Sequence, residues 1–593
     1  MRAVEPGVAG VKFRGVARSS SRTSHRPVIA VATLSLIAAA CSSAGSSTAT
    51  TAVATTAPAT TAVATTAAPA STAAASTTAV VDTTPPASAC TPPATTTPVK
   101  AKDVGNSRDW DITSFDGTVI RAHWFPVAGS SADKPAPTVL MGPGWGAAGD
   151  TNTTQVGMLG ALSINGLAEN GYNVLTWDPR GFGESAGTAQ VDSPEFEARD
   201  VQQLIDWVAT RPQAQLDGTR DPRMGMVGGS YGGAIQFVTA QRDCRIDAIV
   251  PIIAWHSLAT SLFKANTPKL GWSTLLMIAA SRAHLDPTIV EAAKSGAANG
   301  TFSKQAANWF TARGPGDSVA KITVPTLIIQ GTVDTLFTLD EAVSNNRLLQ
   351  QAGTTVAMVW FCGGHGVCLT DRGDPKLADT AALAWLARYV KHDTSAPKVP
   401  GFQFVDQHGV LYSTDTYPAA EGPPVTASGS GTLHMIASGG AGPSQAKPAN
   451  GDIVSVAALG ITPAPATNAV SVTIAAPANG ALLVGAPQLH LDYRGTVAAG
   501  DRPSTVFAQL VDPGTGLVLG NQITPIAMTF DGTPHSVDVP LEMIAHDFAA
   551  GSSLTLQLVA TTVAYVQPRL GGDVNFSKIS ISLPVVTSAT KLG

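Results

Sequence analysis

An α/β body with a helical insertion, followed by a β-rich tail, is the architecture this sequence predicts, and three observations predict it. From about Asp109 to Tyr389, short apolar runs that mostly end in Gly or Asp alternate with helical patterns. Amphipathic helical stretches from about Leu258 to Arg313 interrupt that rhythm between two of the runs. After "DTAALAWLARYVKHD" the helical signals fade, and strict apolar–polar alternation replaces them. The first pattern implies a parallel sheet covered by helices. The second implies a helical cap over the carboxyl edge of that sheet, and the third a β-sandwich.

Before the first strand lie two segments that build no core. Arg2, Lys12, Arg14, Arg18, Arg22 and Arg26 precede "VIAVATLSLIAAAC", an apolar run too short to span a bilayer comfortably, so residues 1–40 read as an export signal. Ala38, Ala39 and Ala40 lead into Cys41 in a form that resembles a bacterial lipoprotein box, which predicts lipidation of Cys41; plain cleavage and secretion is the alternative. Residues 41–99 are rich in Ala, Thr, Ser and Pro, with Asp82 as the only charge, and have no large side chains to offset ordering entropy. They read as a tether. An extracytoplasmic, bacterial location follows, with a membrane engaged only through the lipid anchor. A net charge of -5, with 13% charged residues, provides no basic field for nucleic acid.

The body is expected over residues 100–400. In "DWDITSFDGTVIRAHWFP" alternating residues flank Asp116-Gly117, the mark of a hairpin. "PTVLMGPGW", "GYNVLTWDPRG", "RMGMVGGS", "IDAIVPIIAW", "VPTLIIQGTVD" and "TVAMVWFCGGHG" supply the strands, while "FEARDVQQLIDWVATRP" and "LDEAVSNNRLLQQAG" supply covering helices by their three- and four-residue spacing. The cap occupies about 258–313. Residues 401–593 form the sandwich, with its boundary near Pro400: in "FSKISISLPVV", Ile579, Ile581 and Leu583 share one face, Ser580 and Ser582 the other.

Ligands of such sheets sit at the carboxyl ends of the strands, where the glycine-rich runs fall. One of these, "GMVGGSYGGA", satisfies G-x-S-x-G at Gly228, Ser230 and Gly232. Between a buried strand and a helix this is a nucleophile elbow, which presents the serine on a strained turn; close packing of glycines is the structural alternative. A serine hydroxyl needs a base, and the base an orienting acid, in the chain order serine, acid, histidine. Asp334 in "QGTVDTLF" and His365 in "CGGHGVC" meet that order at successive strand ends. His256 precedes the acid, and Asp340 opens a helix, where N-capping is its simpler role. For the oxyanion, the Tyr231 amide is one donor, and the Trp145 amide in "GPGWG" the second, unless Trp145 only lines the cleft. "WDPRGFGES", with Asp178, Arg180 and Gly183, reads as a structural loop with an internal ion pair.

With these residues in place the chain resembles the X-Pro dipeptidyl peptidase and cocaine esterase family of α/β-hydrolase-fold serine hydrolases. The resemblance runs from about Asp109 to the C-terminus and rests on "GGSYGG", "DPRGFGES", the Asp334 and His365 loops and "AQLVDPGTG". It implies an α/β-hydrolase fold with a jelly-roll-like C-terminal domain, and acyl transfer to water from esters or amides. The family commonly places a tyrosine hydroxyl from the third-strand loop in its oxyanion hole. "GPGWG" has none, which favours two backbone amides.

Setting Cys41 aside, Cys90, Cys244, Cys362 and Cys368 make an even set in an exported chain. The expected bridges are Cys362 to Cys368, bracketing His365, and Cys90 to Cys244. No metal or cofactor motif is present. The expected function is an exported serine hydrolase that cleaves a small-molecule or polymeric ester, with an amide second, through an acyl-enzyme. An X-Pro dipeptidyl peptidase, an envelope acyltransferase and a non-catalytic surface-binding lipoprotein are the alternatives.

Overall fold

The structure, a computed structural model, describes residues 90–93, 98–154, 162–447 and 453–592. The signal segment 1–40, Cys41 and the tether up to Ala89 lie outside the described residues. Among the described residues no helix is long and apolar enough to cross a membrane.

A twelve-stranded mixed sheet organises the body. Its strands are β1 (Lys100–Asp103), β2 (Asp109–Thr113), β3 (Val119–Phe125), β4 (Thr138–Met141), β5 (Asn173–Trp177), β6 (Met224–Gly229), β7 (Ala248–Ile252), β8 (Thr326–Gly331), β9 (Val356–Phe361), β10 (Phe402–Val405), β11 (Leu411–Thr414) and β12 (Thr590–Leu592). They lie in the order β1-β2-β3-β5-β4-β6-β7-β8-β9-β10-β11-β12. Pairing is parallel from β5 through β10 and antiparallel at both ends. The central strands "TVLM", "NVLTW", "AIVPI" and "TLIIQG" are buried along their whole length, as strands covered on both faces must be. β2 and β3 form the hairpin at Asp116-Gly117, where Gly117 takes φ +88°.

The α-helices described in the body are α1 (Ile164–Glu169), α2 (Glu197–Val208), α3 (Tyr231–Ala240), α4 (Leu258–Leu262), α5 (Leu270–Ala279), α6 (Pro287–Asn299), α7 (Lys304–Thr311), α8 (Leu339–Gln351) and α9 (Leu377–Tyr389). Leu204, Ile235 and Leu339 from α2, α3 and α8 share one hydrophobic cluster, while Leu167 of α1 and Trp385 of α9 belong to another. Helices α4 to α7 are the insertion between β7 and β8. Local chemistry bounds α6: the Asp286 carboxylate accepts the Thr288 N–H at 2.9 Å, Pro287 takes the first turn, and Gly300 at φ +71° ends it.

In the tail two larger antiparallel sheets, and a three-stranded one of Ala481–Gly485, Ile544–Phe548 and Val585–Val586, pack on one core. Val425–His434, Gly572–Leu583, Gln488–Val497 and His535–Pro540 make one; Ala469–Ala475, Ser553–Val559 and Thr505–Asp512, with two short strands, make the other. Ile579, Ile581 and Leu583 all point into that core. The boundary, however, is not near Pro400. Strands β10 and β11 follow Pro400 and extend the large sheet, β12 joins it from the far end of the chain, and the first sandwich strand begins at Val425. Phe402 and Phe404 are fully buried, so "FQFV" is a central-type strand that no helix follows; the helical signal ends before the sheet does.

Candidate active site

Strand β6 ends at Gly229 and α3 begins at Tyr231, which leaves Ser230 alone at the turn with φ 58° and ψ -116°. A non-glycine residue there is strained, and the surroundings must hold it. They do so through close backbone packing: a Cβ on Gly232 would lie 2.1 Å from the Gly142 carbonyl oxygen, so the elbow and the loop after β4 touch main chain to main chain. Gln236 secures the same corner. Its amide nitrogen donates to the carbonyls of Gly232 (2.9 Å) and Val250 (3.1 Å), and its oxygen accepts the Val250 N–H (2.9 Å).

The loops after β8 and β9 bring Asp334 and His365 to this serine. His365 Nε2 lies 2.9 Å from Ser230 Oγ, and His365 Nδ1 lies 2.7 Å from Asp334 Oδ2. Asp334 is fully buried, and its other oxygen accepts the N–H groups of Leu336 (3.0 Å) and Phe337 (2.9 Å). The glycines of the histidine loop serve proximity. Gly364 sits at φ +111°, and a Cβ there would lie 2.6 Å from that of Asp334; one on Gly366 would lie 1.9 Å from the Val333 oxygen. Cys362 and Cys368 form a disulfide across this loop, and Cys90 and Cys244 form the other.

Among the described residues, neither the Tyr231 nor the Trp145 amide donates to a backbone acceptor. The Trp145 indole donates to the Leu276 carbonyl at 3.0 Å, which ties this loop to α5, and its ring lines a cavity beside Ser230. Two expectations at the site do not hold. Asp178 and Arg180 do not pair internally: Asp178 accepts the Gly149 N–H (2.8 Å) and faces His123 (3.2 Å), whereas Arg180 forks onto Asp200 at 2.7 Å and reaches Asp116 at 3.0 Å. Helix α2 carries Asp200 and strand β3 carries His123, so the packed fold offers each charge a partner outside its own loop. Asp340 is no N-cap, because Thr338 occupies that position and Asp340 pairs with Lys264 at 2.7 Å. His256 is bound to Asn345 at 2.8 Å, away from the relay.

Several supporting residues carried no sequence signal. Lys269, whose ammonium burial pushes down to about 8, donates to the carbonyls of Thr335 and Leu336 in the acid loop at 2.8 and 2.9 Å. The Trp272 indole donates to Thr335 Oγ1 at 3.0 Å, and its ring meets that of His365 edge-on. From the tail, Gln522 donates to the Asp334 carbonyl and Asn521 to that of Val367, each at 2.8 Å. Behind the elbow, the Tyr231 hydroxyl lies 3.4 Å from Glu197. Burial and the nearby Asp200 charge push the Glu197 carboxyl up to about 7, and burial raises Asp192 well above the usual carboxylate range.

A doubly covered parallel sheet with a serine elbow after β6, an acid after β8 and a histidine after β9 defines an α/β-hydrolase-fold protein. Residues 116–366 match the family model of the X-Pro dipeptidyl-peptidase (S15 family), and this supports the family the sequence resembles, that of serine hydrolases acting on ester or peptide bonds. Among solved structures, an α-amino acid ester hydrolase is similar at TM-score 0.61 and 14% identity, covering 84% of this chain and 99% of that one. A CocE/NonD family hydrolase from Staphylococcus aureus is similar at TM-score 0.57 and 13% identity, covering 80% and 93%. At such identities the likeness is one of fold. An uncharacterized 31.7 kDa protein of Escherichia coli is 34% identical over 91 residues, which is 15% of this chain and 30% of the relative's length.

Proposed function

We propose that the chain is an exported serine hydrolase that cleaves esters, with amides second, through an acyl-enzyme on Ser230. The observation that carries this reading is the unbroken relay from Ser230 Oγ through His365 to Asp334, at 2.9 and 2.7 Å, with the serine on a strained turn. His365 Nε2 takes the hydroxyl proton as Oγ attacks the acyl carbon, and then delivers it to the leaving group. Asp334 keeps the Nδ1 proton in place and stabilises the imidazolium. The amides of Tyr231 and Trp145 receive the oxyanion, each such donor being worth roughly 3–4 kcal/mol. Water, activated by the same imidazole, releases the acid. The His365 side chain is 14% exposed, which leaves that water a route.

Export is supported by the basic and apolar leader ending at Cys41, and by two disulfides, which persist in oxidising compartments. The test is a panel of p-nitrophenyl esters and X-Pro anilides on purified protein, alongside fluorophosphonate labelling. Turnover of esters with labelling at Ser230 is expected. Preferential cleavage of X-Pro anilides would replace the esterase reading with the peptidase one, and a Ser230 that does not label would identify a binding protein on a hydrolase scaffold.

A further inference from the structure

The cap and the elbow form a cavity that reaches Ser230 and opens to solvent. Its walls come from the insertion and from the body together: Leu276 of α5, Ile289 and Ala292 of α6, and Phe310 of α7 stand opposite Trp145 and Tyr231. No charged side chain is among the described residues that line it.

The polar atoms on its wall are almost all engaged elsewhere. Ser273 Oγ donates to the Lys269 carbonyl at 3.0 Å, and the Trp145 indole N–H is held by Leu276. The Tyr231 hydroxyl is turned toward Glu197 and Asp192, whose carboxylates line a second, smaller cavity that shares Tyr231 as its wall. The Trp255 indole N–H, buried without a partner, packs against Gly314, so besides the Tyr231 and Trp145 amides beside the elbow, Ser230 Oγ, the reacting atom, is the polar group that this space offers a substrate. A neutral hydrocarbon entering it gains by leaving water. An ammonium would lose its hydration without meeting a counter-charge.

From this geometry we infer that the cavity is the acyl pocket and that its substrates are esters of neutral, apolar acids, aliphatic or aromatic, with α-amino acyl groups rejected. The inference rests on the hydrolase reading above and gives it a substrate class. Ala292 and Leu276 set the depth: Ala292 is a small, buried wall residue, 1% exposed, and Leu276 lines the cavity from α5.

The experiment measures kcat/KM for p-nitrophenyl acetate, butyrate, hexanoate and octanoate, with Ser230 labelling by a fluorophosphonate as a parallel readout. The expected result is a rise of about fourfold per methylene until the pocket is full. The p-nitrophenyl ester of leucine should react at least about a hundredfold more slowly than that of 4-methylpentanoate, which has the same skeleton without the amine. Ala292→Leu should move the optimum to shorter acids and Leu276→Ala to longer ones, so that failure of one variant to fold leaves the other. Labelling at Ser230 together with a flat chain-length profile, or with a preference for the leucine ester, overturns the pocket assignment and leaves the hydrolase standing. A protein that neither labels nor turns over any ester overturns both.

Discussion

Ser230 is held by its own helix and the strands beside it, whereas the loops of Asp334 and His365, besides their own contacts, lean on the cap and the tail. The elbow takes its support from Gln236 of its own helix and from Gly142 and Val250 of the flanking strands and their ends. The acid loop instead leans on Lys269 and Trp272 of the cap and on Gln522 of the tail. The histidine loop is closed by the Cys362–Cys368 bridge, and its Val367 carbonyl is bound by Asn521. A nucleophile fixed by local backbone geometry and a base fixed by remote side chains should fail differently. Damage near the serine should appear first as lost stability, and damage to the remote braces as lost turnover.

The sharpest break is at the acid itself. Asp334→Asn should lower kcat by on the order of ten-thousandfold, because the amide presents the wrong partner to the imidazole; ester kinetics with a stable circular dichroism spectrum would check it. Next comes the pair that contrasts the two supports. Gln236→Ala leaves several buried backbone groups unpaired, at roughly 1–3 kcal/mol each, and should depress the Tm strongly. Gln522→Ala frees one carbonyl and should cost about tenfold in kcat with KM nearly unchanged and a smaller fall in Tm. Equal falls in Tm, with kcat preserved in both, would erase the contrast.

A smaller effect is expected at the bridge. Replacing Cys362 and Cys368 together by serine opens a loop whose ends are 6 positions apart. Chain entropy sets its stabilisation at about 2 kcal/mol. Because His365 lies inside that loop, kcat should fall several-fold while KM holds, as steady-state ester kinetics would show. The mildest change concerns the acidic cavity behind the elbow. Burial, with the Asp200 charge, keeps the Glu197 carboxyl protonated up to about 7, against 4.5 for an unperturbed group. Between those values the folded chain binds the extra proton, so stability falls as pH rises through the window. Glu197→Gln removes that titration. Melting curves from pH 4.5 to 7 should therefore decline less steeply in the variant, with an unchanged slope counting against the assignment.

The same contrast explains what could be read from the sequence. The strand, Ser230, its glycines and α3 are contiguous, so their pattern is visible in ten residues. The chain order of Asp334 and His365 follows from the sheet. Their glycine-rich loops read as flexibility, yet Gly364 and Gly366 are required by close approach to the acid loop, a fact of tertiary packing. Gln522 and Asn521 could not be found at all, since a polar pair between two short strands looks like any turn. Asp178 and Arg180 misled for a related reason: adjacency along the chain suggested a pair, and space supplied Asp200 and Asp116 instead.

Strand β12 carries a consequence for assembly. It pairs with β11 through Ser413 and Thr590, after the whole tail has intervened. A chain that emerges N-terminus first, from a ribosome or a translocation channel, exposes β11 long before its neighbour exists. Until then Leu411–Thr414 is a bare sheet edge, with unpaired N–H and C=O groups able to template on another chain. The tail is in turn anchored at both ends to one sheet, by β11 before it and β12 after it. The last strand to appear is thus a clasp: it seals an edge that would otherwise aggregate, and it locks the sandwich against the body by two attachments where a simple linker would give one.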